Sequence, residues 1–185
     1  MWLFTPTYAA RGLSELLLDE AVYLYRLISE TPSAEVAELG RFRGGTTYFM
    51  AAAGARVLSV DNDASEESRK RRGMARPMYR SALEQALATS GLDDRVELVT
   101  ADALAFTVPE AAFDLVYLDL PLDAADMASV FERWWTGLRP GGRLVLRDGR
   151  EPSMPGPQAF AATLPGNGFT VATGAPGRFV VVLKS

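Results

Sequence analysis

Four short apolar runs, each closed by a carboxylate, constrain what this chain can fold into more than any other feature. The runs are Glu35–Leu39, Arg56–Val60, Arg95–Val99 and Asp114–Leu118, and their carboxylates are Glu38, Asp61, Asp102 and Asp119. Helical stretches separate them, and a fifth run, Arg143–Arg147, precedes Asp148. Such alternation predicts a parallel sheet wrapped by helices. Ligands of open α/β sheets bind beyond the carboxyl ends of the strands, so all four carboxylates are expected to face one crevice.

The punctuation agrees. Gly54 ends a short helix, Gly91 follows a helix over Ser81–Ser90, and Pro140-Gly141-Gly142 reads as a turn immediately before the fifth run. Ahead of the core, Leu17, Ala21, Leu24 and Ile28 recur at helical spacing over residues 14–29, behind Ser14 as N-cap. After Arg150 a Pro- and Gly-rich loop, Glu151–Pro157, leads to a short helix around Gln158–Leu164. Two strand-like runs follow, Phe169–Thr173 and Phe179–Leu183, joined by the hairpin connection Gly174-Ala175-Pro176-Gly177. At 185 residues and 48% apolar content the expectation is one domain. In it residues 1–32 form a helical segment packed on or capping a core of residues 33–185.

Composition excludes much chemistry. With no Cys and no His, disulfides, thiolate nucleophiles, Ser-His-Asp triads and His- or Cys-based zinc sites are ruled out. Lys70 and Lys184 are the only lysines, and Arg does not release its proton at working pH. Any general base is therefore Asp, Glu, Tyr or one of those lysines. The net charge of −4 and pI near 5 do not suit a nucleic-acid binder. No apolar run approaches a membrane span and the N-terminus lacks a basic region before an apolar stretch, so cytoplasmic residence is expected.

The exit of the first run is rich in glycine: Glu38-Leu39-Gly40-Arg41-Phe42-Arg43-Gly44-Gly45-Thr46-Thr47. Glycines there permit positive φ and close approach, and the helix that begins at Thr46 or Thr47 offers unpaired N–H groups to an anion. About 20 positions after Gly40 comes Asp61, the interval at which nucleotide-binding folds set an acidic residue on ribose hydroxyls.

The order Glu-x-Gly-x-x-x-Gly-Gly-Thr, Asp61, Asp102-Ala103, Phe113 through Asp119, then Leu138-Arg139-Pro140-Gly141-Gly142 resembles class I S-adenosylmethionine-dependent methyltransferases. The likeness runs from about residue 33 to 185 and is nearest to the small-molecule O-methyltransferase branch related to macrocin O-methyltransferase and cephalosporin hydroxylase. It implies a Rossmann-like α/β sandwich: a seven-stranded, mostly parallel sheet with an antiparallel last strand and helices on both faces. It further implies Glu38, Gly40, Gly44, Gly45 and Thr46 around the methionine moiety, Asp61 on the ribose and Asp102 with Ala103 at the adenine. Asp119 is placed near the sulfonium and, with Asp148, in the catalytic position. The implied activity is methyl transfer to an oxygen of a small molecule, with a homodimer as a possible assembly.

The chain also departs from that branch. Relatives often follow the fourth-strand Asp with Gly, an acidic residue and His, whereas Leu120-Pro121-Leu122-Asp123 stands here. Metal-dependent members gather carboxylates from the fourth and fifth strands plus a third oxygen ligand. Asp119 and Asp148 supply two, so a divalent ion would need Asp123, Asp126, Glu151 or substrate oxygens besides. Two other readings stand beside methyl transfer: a module that binds the cofactor without turnover, and an NAD(P)-dependent oxidoreductase. The spacing Gly40-x-x-x-Gly44-Gly45 speaks against the latter. Arg69-Lys70-Arg71-Arg72, with Arg76 and Arg80, reads as a solvated helical face interrupted by Gly73 and Pro77. Trp134-Trp135 reads as helix packing, and Trp2 with Phe4 as packing, a lid or a dimer contact.

Overall fold

A computed structural model of the chain describes residues 15–65, 70, 73 and 79–185. Its sheet has seven strands: β1 Glu35–Leu39, β2 Arg56–Asp61, β3 Val96–Thr100, β4 Phe113–Leu118, β5 Leu138–Leu146, β6 Thr170–Val171 and β7 Val180–Leu183. They lie in the order β3-β2-β1-β4-β5-β7-β6. The first five pair in parallel, and β7 runs antiparallel to both β5 and β6. The order reverses between β1 and β4, and the crevice forms at that switch point.

Among the described residues, five α-helices cover the sheet: α1 Leu18–Ser29, α2 Gly45–Ala52, α3 Tyr79–Thr89, α4 Ala124–Gly137 and α5 Pro155–Thr163. Successive strand side chains point to opposite faces, so each strand feeds two cores. Val36, Val57, Leu115, Tyr117 and Val145 pack with Leu24, Ile28, Met50, Leu83 and Leu87 of α1, α2 and α3. Ala37, Leu39, Val116, Leu118 and Leu144 pack with Met127, Val130, Trp134 and Phe160 of α4 and α5. Helix α2 is buried from Gly45 to Ala51, which suits a segment with no charged side chain. On α4 the buried residues Met127, Val130, Phe131 and Trp134 form one stripe, and the Asp123 side chain caps the helix by accepting from the Ala125 and Asp126 N–H groups. Trp134 stacks on Phe106 with ring centroids 5.4 Å apart, and its indole donates to the Ala103 carbonyl at 3.0 Å.

Three expectations shift. Helix α1 begins at Leu18, with Leu17 as N-cap and the Glu20 carboxylate accepting from the Leu17 N–H at 3.0 Å; Ser14, the expected cap, lies outside the described residues. Strand β6 is shorter than the run Phe169–Thr173 and α5 starts ahead of Gln158, where Pro155 provides a preset first turn. Pro140-Gly141-Gly142 is not a turn ahead of β5 but an irregularity inside it. The register with β4 jumps from Phe113↔Leu138 to Leu115↔Arg143, and Gly141 absorbs the jump at φ +80° while its N–H donates to the Lys184 carbonyl and the Lys184 N–H donates to the Gly142 carbonyl.

Register aligns the carboxyl ends: Leu39 pairs with Val60 and Leu118, and Leu118 with Leu146. Gly40, Asp61, Asp119 and Arg147 therefore leave the sheet at one level. Gly40 has φ +90°, and a Cβ there would sit 2.0 Å from the Asp119 carbonyl oxygen. Backbone, not a movable side chain, blocks it. Gly40→Ala is expected to destabilise the chain by on the order of 3 kcal/mol, read as a lowered urea midpoint; an unchanged midpoint would show that the two exits do not touch.

Candidate active site

The loop between β1 and α2 folds onto Asp61. Its Oδ2 accepts from the Arg41 N–H at 2.7 Å and the Phe42 N–H at 3.2 Å, and its Oδ1 from the Asp63 N–H at 2.6 Å. A carboxylate has about four lone-pair sites, so Asp61 spends most of them shaping the glycine loop. The loop closes with the Gly44 N–H on the Arg41 carbonyl at 2.8 Å. Gly44, at φ +80°, leaves no room for a Cβ beside Leu83, and as N-cap it starts α2 one residue before the expected Thr46.

Glu38 lies fully buried beneath this loop. Its Oε2 accepts from Thr47 Oγ1 and from Ser59 Oγ, the latter at 2.6 Å, while Oε1 is buried with no hydrogen-bond partner. Burial pushes its carboxyl up to about 7, against the pull of the two hydroxyls. Thr47 reaches the carboxyl, and Thr46, the threonine named from sequence, is buried one position earlier. Ser59 was not anticipated; the signal for it is that it is the one polar side chain within the otherwise apolar centre of β2, opposite Glu38 in register.

Asp119 follows β4 and is held by Arg147, whose Nη1 lies 3.0 Å from each of its oxygens. Burial raises the Asp119 carboxyl to about 6 even beside that guanidinium. Tyr117, two residues back, is fully buried with its hydroxyl unpartnered; burial and the Asp119 charge push it well above the ordinary phenol value. Asp148 is buried as well, and burial raises its carboxyl. Its neighbours are Arg147 Nη1 at 4.0 Å and Arg178 Nη1 at 3.8 Å.

Arg178 carries this cluster to α1. Its Nη2 and Nε donate to the two oxygens of buried Glu20 at 2.7 and 3.0 Å, and its Nη2 also donates to the Glu15 carbonyl at 2.8 Å. Burial alone would raise the Glu20 carboxyl, but the Arg178 bonds outweigh it and hold it below the ordinary value.

The sequence-named residues thus divide. Glu38, Gly40, Gly44, Gly45, Asp61, Asp119 and Asp148 gather at the carboxyl ends of β1, β2, β4 and β5. Asp102 is exposed and accepts from the Leu104 N–H at 2.9 Å, an Asx turn beyond β3. Ala103 packs its methyl into the core under Trp134. Arg41 was not anticipated: it is buried, and its guanidinium donates to the carbonyls of Ser59 and Val99 at 3.0 and 3.4 Å and to Asp63 at 2.7 Å. Of the basic run, Arg80 bonds Glu84 and Thr100. Arg69, Arg71, Arg72, Arg76 and Pro77, like Trp2 and Phe4, lie outside the described residues. Among the described residues no three acidic side chains converge as a metal site, and no helix is long and apolar enough to cross a membrane. A cavity of about 480 Å³ lined by Glu35, Arg56, Asp94, Arg95, Glu97 and Arg139 opens at the amino end of the sheet, and none of Glu38, Asp61, Asp119 and Asp148 lines it.

The strand order, the reversed β7 and a glycine loop folded on a strand-end Asp define a Rossmann-like methyltransferase of class I. Residues 37–149, more than half of the chain, match the family described as Methyltransferase domain, and the chain belongs to that family. Its sequence is 29% identical over 141 residues to phosphoethanolamine N-methyltransferase 3 of Arabidopsis thaliana, covering 75% of this chain and 26% of that protein; the chain spans about a quarter of the length of the curated relatives it matches. Its fold is similar to that of a methyltransferase from Geobacter sulfurreducens, at 22% identity and TM-score 0.66 over 89% of this chain and 77% of that one. It is also similar to an O-methyltransferase from Bacillus cereus in complex with S-adenosylhomocysteine, at 19% identity and TM-score 0.63 over 97% of this chain and 88% of that one.

The raised Glu38 carboxyl has a thermodynamic consequence. A carboxyl titrating near 7 in the fold and at 4.5 as a free side chain contributes stability that is complete below pH 4.5 and is lost as pH rises through 7. In Glu38→Gln the amide oxygen still accepts from Thr47 and Ser59. The wild type is therefore expected to lose on the order of 2 kcal/mol more than the variant between pH 5 and pH 8, measured by urea unfolding. Parallel pH profiles would show that Glu38 is ionised in the fold throughout.

Proposed function

We propose that this chain transfers the methyl group of S-adenosylmethionine to an oxygen of a small molecule. The observation that carries the reading is the unpartnered Glu38 Oε1, a buried acceptor beneath the glycine loop. An amino acid ammonium would satisfy it. In this reading Gly40, Gly44, Gly45 and Thr46 flank the methionine moiety, Asp61 takes the ribose with its remaining lone pair, and Asp102 with Ala103 borders the adenine. When bound, the cofactor supplies an electrophilic methyl group on a sulfonium, which is a good leaving group.

The work left to the protein is positioning and exclusion of water. A hydroxyl acceptor must also lose its proton. Tyr117 is unsuited to receive it, because its pKa lies well above the working range. Asp119, with its carboxyl near 6, is ionised at neutral pH and basic enough to accept a proton, and Asp148 stands beside it. The small-molecule acceptor fits a chain of net charge −4, which does not attract polyanions.

A nitrogen acceptor is the second reading, favoured by the likeness to phosphoethanolamine N-methyltransferases. Asp119 and Asp148 would suit an ammonium. Transfer of labelled methyl to parallel panels of hydroxylated and amine acceptors separates the two. Product in the hydroxylated panel is expected, with Asp119→Asn lowering kcat by about a hundredfold or more at unchanged affinity for S-adenosylhomocysteine. Product from amines alone would move the assignment to nitrogen, and binding without product in either panel would favour a module without turnover.

A further inference from the structure

Metal-dependent members of the branch this chain resembles hold a divalent ion between carboxylates of the fourth and fifth strands, and the residues of this chain do not fit one. That space holds a side chain. Arg147 Nη1 is 3.0 Å from both oxygens of Asp119 and 4.0 Å from Asp148 Oδ2, and its side chain is 8% exposed. On the other side Arg178 Nη1 is 3.8 Å from Asp148 Oδ1. The further oxygens a hard cation would need are engaged or turned outward. Asp123 Oδ1 caps α4, Glu151 Oε1 accepts from the N–H and hydroxyl of Ser153, and Asp126 is exposed. Divalent calcium or magnesium takes six or more oxygen ligands. A dication placed beside a buried guanidinium would also meet like-charge repulsion that little solvent screens.

We propose that Arg147 is the resident cation of this crevice, its guanidinium holding Asp119 and Asp148 in the places a divalent ion would hold them, so that the acceptor is positioned without a metal. Arginine keeps its proton at any working pH, so this charge is permanent and takes no part in proton transfer. Arg147 acts through Asp119 as a positioning residue. The same guanidinium reaches the chain ahead of α1, donating from Nη2 to the Glu15 carbonyl at 3.1 Å, so the ion pair also fixes the wall of the crevice. Its Nε and Asp148 Oδ1 are buried without hydrogen-bond partners, which leaves one donor and one acceptor to a bound molecule.

The inference rests on the reading of this crevice as the methyl-transfer site, and one set of samples tests the two apart. Free Mn²⁺ is followed by electron paramagnetic resonance as the wild-type chain is added, with and without S-adenosylhomocysteine, whose own binding is measured by calorimetry. Arg147 as resident cation predicts no Mn²⁺ uptake that depends on Asp119 or Asp148. Uptake equal in wild type, Asp119→Asn and Asp148→Asn also supports it, by placing the ion elsewhere. Stoichiometric uptake by the wild type that weakens roughly tenfold or more in either variant overturns it. Failure of S-adenosylhomocysteine to bind would strike the methyl-transfer reading and leave the Mn²⁺ result to judge Arg147 alone.

Discussion

The exits of β1 and β4 meet through backbone alone, and the rest of the molecule is arranged around that meeting. The Asp119 N–H donates to the Leu39 carbonyl at 2.8 Å, and the Gly40 N–H to the Val60 carbonyl at 2.9 Å. Gly40 lets the two chains close to a distance no side chain would allow. Because β1 and β4 flank the reversal of strand order, this contact fixes the floor of the crevice. Everything above it is loop: one loop wraps Asp61, and the other carries Asp119 onto Arg147. The site is precise because its parts hang from one rigid seam.

Charge at this seam is handled by three different means. Glu38 is buried deeply enough that the neutral form is preferred up to about pH 7. Asp119 is met by Arg147, the residue that follows the neighbouring strand β5. Glu20 takes Arg178 from the chain before β7 and so fastens α1 to the far end of the sheet. Burying any of these carboxylates alone would be strongly unfavourable, so each is tied to a specific partner, and the Asp119 and Glu20 pairs give the crevice its walls on the β5 side.

Much of the fold was legible because strand-end carboxylates and turn glycines recur with the sheet's own period. Runs such as Arg56–Val60 and Asp114–Leu118 matched β2 and β4 to within a residue, since nothing competes with Val and Leu inside a covered sheet. Pro140-Gly141-Gly142 misled because a bulge and a turn use the same residues, and only the pairing with β4 tells them apart. Within the site, Glu38, Asp61 and Asp119 could be named from position. Arg41, Arg147 and Arg178 could not, because an arginine before or after a strand usually reaches water. The burial of Arg41 and Arg147 and the half-burial of Arg178 follow from carboxylates distant in sequence, Asp63, Asp119 and Glu20, which local patterning does not connect. Thr47 was hidden behind Thr46 for a related reason: which of two adjacent threonines faces inward depends on where the helix begins, and Gly44 sets that.

The account turns on whether the pocket under the glycine loop receives a methyl donor. A crystal structure of the chain grown with S-adenosylhomocysteine tests this most directly. The account predicts the homocysteine ammonium within hydrogen-bond distance of Glu38 Oε1 and the ribose hydroxyls at Asp61. S-adenosylhomocysteine seated away from β1 and β2, or absent from the crevice at saturating concentration, would contradict it.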